Sequence, residues 1–142
     1  MKDGCSIKAL ILDMDGTIIR MTVDFVTMKE RFLDRLAKEP LPSNTLDPKD
    51  TMVENLARVR RYYQEHGMGG YFSLLEKDIN ELMAEVEMLN VRETRKIDGF
   101  DEVIRHSRNK GLKIGLLTRG SRRYAQAALH WSGIGDVFDH II

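Results

Sequence analysis

Hydrophobic and polar positions follow three successive rhythms along the chain. Residues 7–13 form a short apolar run with β-branched side chains, the pattern of a buried strand in a parallel sheet, and Asp13 closes it. From about residue 21 to 96 the period becomes helical. Phe25, Met28, Phe32 and Leu36 recur at spacings of three and four, as do Met52, Leu56, Val59 and Tyr63. Phe72, Leu75, Ile79, Leu82, Val86 and Leu89 repeat the pattern. Turn chemistry at Pro40-Leu41-Pro42-Ser43-Asn44 and at Gly67-Met68-Gly69-Gly70 divides this stretch into about three helices. The rhythm then alternates: a helix over Phe100–Asn109 closed by Gly111, a strand over 112–118, a helix over Arg122–Trp131 ending near Gly133, and a strand over 137–142. This order implies an α/β fold, a parallel sheet of about three strands joined by right-handed crossovers, with a helical insertion after the first strand.

Composition narrows the function classes. The chain has 142 residues, 42% hydrophobic and 31% charged, with 22 Lys+Arg against 22 Asp+Glu. Balanced charge argues against a general nucleic-acid binder or a membrane-surface protein. Cys5 is the only cysteine, which excludes a disulfide scaffold and fits a reducing, cytoplasmic setting. The apolar run over residues 9–12 ends in Asp13 and does not resemble a targeting signal, and no stretch approaches the ~18 residues that span a bilayer.

The strongest local signal is Asp13-Met14-Asp15-Gly16-Thr17, directly after the first strand. Two carboxylates at the C-terminal end of a parallel strand stand where open α/β sheets place their ligands. Such a pair can divide labour between nucleophile and acid/base if a cation offsets their repulsion, and hard carboxylate oxygens favour magnesium. A turn with a capping residue is the plain alternative. A calcium loop also begins with alternating acids, and Asp24 stands twelfth from Asp13, but Ile18 occupies the sixth position, where that loop needs glycine. The second signal is Thr118-Arg119-Gly120-Ser121, after the second strand and at the start of a helix. A hydroxyl followed by free N–H groups at a helix N-terminus makes a phosphate cradle, while a simple Ser121 cap explains the same residues. Neighbouring parallel strands would set Thr118 beside Asp13. Residues 103–135 contain no acid and carry Arg105, Arg108, Lys110, Lys113, Arg119, Arg122 and Arg123, which read as solvated helix charges or as steering for a phosphorylated substrate. His66, His106, His130 and His140 show no metal-ligand spacing, and Tyr62, Tyr63 and Tyr71 either pack the insertion or line a pocket.

With an apolar strand running into D-x-D-G-T, Leu116-Leu117-Thr118 after the second strand, and the run from Ala125 to Ile142, the chain resembles the haloacid dehalogenase-like hydrolase superfamily. The branch is the one with a helical cap after the first motif, as in phosphoglycolate phosphatases. The resemblance implies a Rossmann-like core over residues 1–20 and 97–142 and a cap over 21–96. It implies that Asp13 attacks phosphorus and that Asp15 protonates the leaving alcohol and then activates water. Magnesium would be held by Asp13 and by the backbone carbonyl of Asp15. Thr118, Arg119 and Gly120 would hold the phosphoryl oxygens of a small phosphorylated metabolite.

The family also carries a lysine and an acidic cluster after the third strand, and neither is found after that strand here. The expectations are therefore an incomplete core, weak or absent activity of the 142 residues alone, and self-association or a missing C-terminal segment at the edge of the first strand. Arg119 stands where many members have asparagine, and Ile19-Arg20 replace an acidic-serine pair, so substrate contacts do not transfer. A non-catalytic phosphoryl-binding or interaction module is the main alternative. A phospho-acceptor domain of receiver type is disfavoured by the helical insertion.

Overall fold

In a computed structural model, which describes residues 6–142 and leaves Cys5 outside them, nine elements follow one another. They are β1 (Ala9–Asp13), α1 (Phe25–Leu36), α2 (Met52–Glu65), α3 (Gly69–Met88), a 3-10 turn (Val91–Glu93), α4 (Phe100–Asn109), β2 (Lys113–Leu117), α5 (Arg122–Trp131) and β3 (His140–Ile141). Two compact units result. One joins the residues up to Val23 to Asn90–Ile142, and the other is Asp24–Leu89.

The first unit holds a parallel sheet in the order β1-β2-β3. Ala9 pairs with Lys113 and the register runs through to Asp13 opposite Leu117, so β1 and β2 end at the same level. Paired residues of a parallel ladder share a face. Leu10, Leu12, Ile114 and Leu116 therefore lie together on the covered face, Ile114 and Leu116 fully buried. Ala9, Ile11, Gly115 and Leu117 lie on the other, where Ile11 is 60% and Leu117 52% exposed. The strands are shorter than the apolar runs that announce them. The start of β3 is trimmed because the Asp139 carboxylate accepts the Ile114 N–H at 2.7 Å while Arg108 takes the Val137 carbonyl at 2.8 Å. The segment after α3 belongs to this unit rather than to the insertion. The Arg20 N–H donates to the Arg95 carbonyl at 2.8 Å, the Ile97 N–H donates to the Ile18 carbonyl at 2.9 Å, and Val91 and Thr94 are buried.

The second unit is the three-helix insertion, packed around Phe32, Leu36, Val59, Tyr63, Phe72, Leu75 and Ile79. These are the periodic positions of the three helices, which is why the helical rhythm was strong. Asp24 caps α1 by accepting from the Val26 and Thr27 N–H groups, and Thr51 with Glu54 forms a reciprocal capping box on α2. The second turn is tighter than its glycine-rich sequence suggests. Gly67 alone turns the chain, and Gly69 and Gly70 already belong to α3. Tyr62, Tyr63 and Tyr71 pack within this unit, with the Tyr63 and Tyr71 hydroxyls donating to Glu39 at 2.7 and 2.8 Å. Among the described residues no helix is long and apolar enough to cross a membrane.

Candidate functional site

The loop after β1 is built to hold two carboxylates still. Met14, between them, is fully buried, and its carbonyl accepts from the Ile18 and Ile19 N–H groups at 3.0 and 3.2 Å. Alternation along an extended segment then turns Asp13 and Asp15 to the side opposite Met14. Gly16 adopts φ +76°, a conformation side chains resist, and its N–H donates to the Ile19 carbonyl at 2.9 Å. Ile18 and Ile19 are buried beneath the turn, so its shape is fixed by packing as well as by hydrogen bonds.

Asp13 is exposed, and its Oδ2 accepts the Thr17 hydroxyl at 3.1 Å. Asp15 is half-buried, and its Oδ1 accepts the Tyr124 hydroxyl at 2.6 Å. Burial pushes the Asp15 carboxyl above the ordinary aspartate range; the Tyr124 hydrogen bond opposes that push and the neighbouring charge of Asp13 adds to it.

Across the ladder, Thr118 follows Leu117, the partner of Asp13, so the hydroxyl-bearing residue and the carboxylate stand at one sheet edge. The Thr118 N–H donates to the Ile142 carbonyl at 3.0 Å, and its Oγ1 accepts the Gly120 N–H at 3.0 Å. That small ring leaves the hydroxyl proton for a ligand. Ser121 caps α5, accepting from the Tyr124 N–H at 3.3 Å, and no acid stands in the first turn of that helix. The positive end of α5 therefore faces the same edge as Arg119, which is exposed.

The structure thus brings together Asp13, Asp15, Thr118 and Gly120, with Arg119 beside them, while His106, His130 and His140 stand on α4, α5 and β3 and His66 follows α2. Tyr124 is the member the sequence reading passed over. A tyrosine on the buried stripe of a helix needs a partner for its hydroxyl, and that requirement was the available signal. Among the described residues no cluster of three His, Cys, Asp or Glu side chains is placed to hold a metal ion. The carboxylates of Asp13 and Asp15 and the carbonyl at Asp15 are nonetheless hard oxygens of the kind magnesium takes, and that ion commonly keeps several waters in place of protein ligands.

Comparison with known proteins places these features in a wider group. The family described as haloacid dehalogenase-like hydrolase matches residues 7–142. No curated protein matches the chain. Among solved structures, a predicted phosphoglycolate phosphatase from Haemophilus somnus is similar at a TM-score of 0.53 and 13% identity, covering 96% of this chain and 62% of that one. A haloacid dehalogenase-like family hydrolase from Streptococcus pneumoniae gives 0.53 and 13%, with 95% and 60% covered. A protein from Lactobacillus delbrueckii subsp. bulgaricus, described as a phosphoglycolate phosphatase, gives 0.54 and 15%, with 95% and 64% covered. At such identities the likeness is one of fold. The chain spans about three fifths of the length of these structures.

Proposed function

The chain belongs to the haloacid dehalogenase-like hydrolase family, and from that premise we propose that it carries the nucleophile side of a magnesium-dependent phosphomonoester hydrolase acting on a small phosphorylated metabolite in the cytoplasm. The observation that carries the reading is the register: Asp13 ends β1 opposite Leu117, which puts Thr118 at the same edge as both carboxylates. In the proposed reaction Asp13 attacks phosphorus in line with the ester oxygen. The bond to that oxygen breaks, and Asp15 delivers a proton to the departing alcohol. Water then attacks the aspartyl-phosphate, Asp15 takes a proton from it, and inorganic phosphate leaves with Asp13 restored. Thr118 and the N–H groups at Arg119 and Gly120 hold the equatorial oxygens through the transfer. Magnesium, held by the Asp13 carboxylate and the Asp15 carbonyl, would offset the negative charge shared by nucleophile and phosphoryl group.

Full turnover is proposed to need, besides Asp13 and Asp15, the lysine and acidic cluster that the family resemblance implies. The exposed edge of β1 is the proposed pairing site for the rest of a core or for a second copy. Hydrolysis of an aryl phosphate with magnesium, measured for this chain, its Asp13→Asn variant and a C-terminally extended polypeptide, is the test. The expected result is Asp13-dependent turnover that rises strongly on extension. Turnover insensitive to Asp13 in both polypeptides would overturn the hydrolase reading. A phosphate analogue that binds without any turnover would favour the non-catalytic module instead.

A further inference from the structure

We infer that Tyr124 is a positioning residue for Asp15, and that position 120 is glycine because the ring of Tyr124 occupies the space a side chain would need. The inference rests on the proposed role of Asp15 in moving the proton.

Tyr124 lies 109 positions from Asp15 along the chain, is fully buried, and delivers its hydroxyl to Asp15 Oδ1 at 2.6 Å. That is the length of a charge-assisted bond between a hydroxyl and a carboxylate. With Oδ1 engaged, Oδ2 is the oxygen left to face a substrate. The phenol thereby selects both a rotamer and an oxygen, which is what proton transfer along a fixed direction requires.

Gly120 shows how closely the ring is fitted. A Cβ built there would stand 2.8 Å from Tyr124 Cδ1 and 3.4 Å from Cε1, so a side chain at this position has to displace a fully buried ring. The requirement is spatial: φ at Gly120 is not in the left-handed region, so backbone freedom does not explain the residue. A second tie runs through the same residue, because the Gly120 N–H donates to Thr118 Oγ1 at 3.0 Å. The Ser121 cap, through the Tyr124 N–H, fixes where the aromatic residue leaves the helix. Thr118, Gly120 and Tyr124 thus form one short arm that sets the hydroxyl on the β2 side and, through the phenol, the carboxylate on the β1 side.

Two variants separate this role from plain packing. Tyr124→Phe keeps the ring and removes the hydroxyl; Gly120→Ala keeps the hydroxyl and displaces the ring. The direct readout is the set of three-bond couplings about χ1 of Asp15 in isotope-labelled chain. The expected result is a single rotamer in the parent and averaged couplings in both variants, with amide shifts in the helical insertion unchanged. The second readout uses whichever polypeptide shows Asp13-dependent turnover. There Tyr124→Phe is expected to lower kcat about tenfold or more for an alkyl phosphate, whose leaving group needs a proton, and much less for an aryl phosphate, with KM little changed in both. Unchanged Asp15 couplings in Tyr124→Phe, or equal losses for the two esters, would overturn the inference. If no polypeptide turns over substrate, the hydrolase reading fails, and the couplings alone decide what Tyr124 does.

Discussion

Glu39, only 4% exposed at its side chain, accepts from Arg35 at 2.7 Å and from the Tyr63 and Tyr71 hydroxyls. Burial by itself would raise its pKa, yet the hydrogen bonds from Arg35, Tyr63 and Tyr71 win and hold the carboxyl below the ordinary glutamate range. A carboxylate depressed in the folded state stabilises above its unfolded pKa and loses that stabilisation as pH falls through the folded value. The helical insertion is therefore expected to weaken on acidification from the ordinary glutamate range downward. In Glu39→Gln that pH-dependent part flattens and stability at neutral pH drops by about 1–3 kcal/mol, measurable by denaturant unfolding followed through tyrosine circular dichroism. At the candidate site the corresponding residue is Thr118. Inorganic phosphate or tungstate is expected to raise the thermal midpoint of the parent chain, and Thr118→Ala to remove most of that rise. Both residues show how far single positions can be read. Asp13, Asp15 and Thr118 stood out because their types follow apolar strands, whereas nothing around Glu39 in the sequence foretold three donors converging on it.

At the scale of elements, legibility followed local chemistry. The bounds expected for α4 and α5 coincide with those observed, because both helices end before a left-handed glycine, Gly111 or Gly133, and Ser121 caps the start of α5. The α2 cap is equally local: Thr51→Ala is expected to cost about 1 kcal/mol, seen as a lower urea midpoint at unchanged slope. β3 was less legible. Its two residues hang on Asp139, which accepts the Ile114 N–H and pairs with Arg108 at 2.7 Å and Lys113 at 3.7 Å. The backbone N–H of Asp139 donates to the Ile114 carbonyl at 2.8 Å. Ile114 and Arg108 lie 25 and 31 positions away from Asp139 along the chain, beyond any periodic window. Asp139→Ala is expected to speed amide exchange at Ile114 and Ile142 selectively, and to loosen Thr118, whose N–H is bonded to the Ile142 carbonyl.

For the whole molecule the decisive fact is the order β1-β2-β3. Among the described residues, Ile114 and Leu116 are fully buried on one face of that sheet, while Ile11 and Leu117 on the other are 60% and 52% exposed. β1 is also an edge strand ending at Asp13. An exposed apolar face beside a free edge favours pairing with another polypeptide. Concentration-dependent association in sedimentation velocity is the expected outcome, reduced in Ile11→Lys, while a strictly monomeric parent at all concentrations would count against it. Much of this protein was set by its sequence alone: apolar periodicity and turn residues specified a parallel α/β unit with a helical insertion, and put two carboxylates and a threonine at strand ends. Those features depend on neighbours a few residues apart. Tertiary structure alone decided which sheet face is covered, where the insertion rejoins the core at Asn90, and that a phenol from α5 grips Asp15. Each of these depends on strand register and long-range contacts, which bring together residues that no local pattern connects.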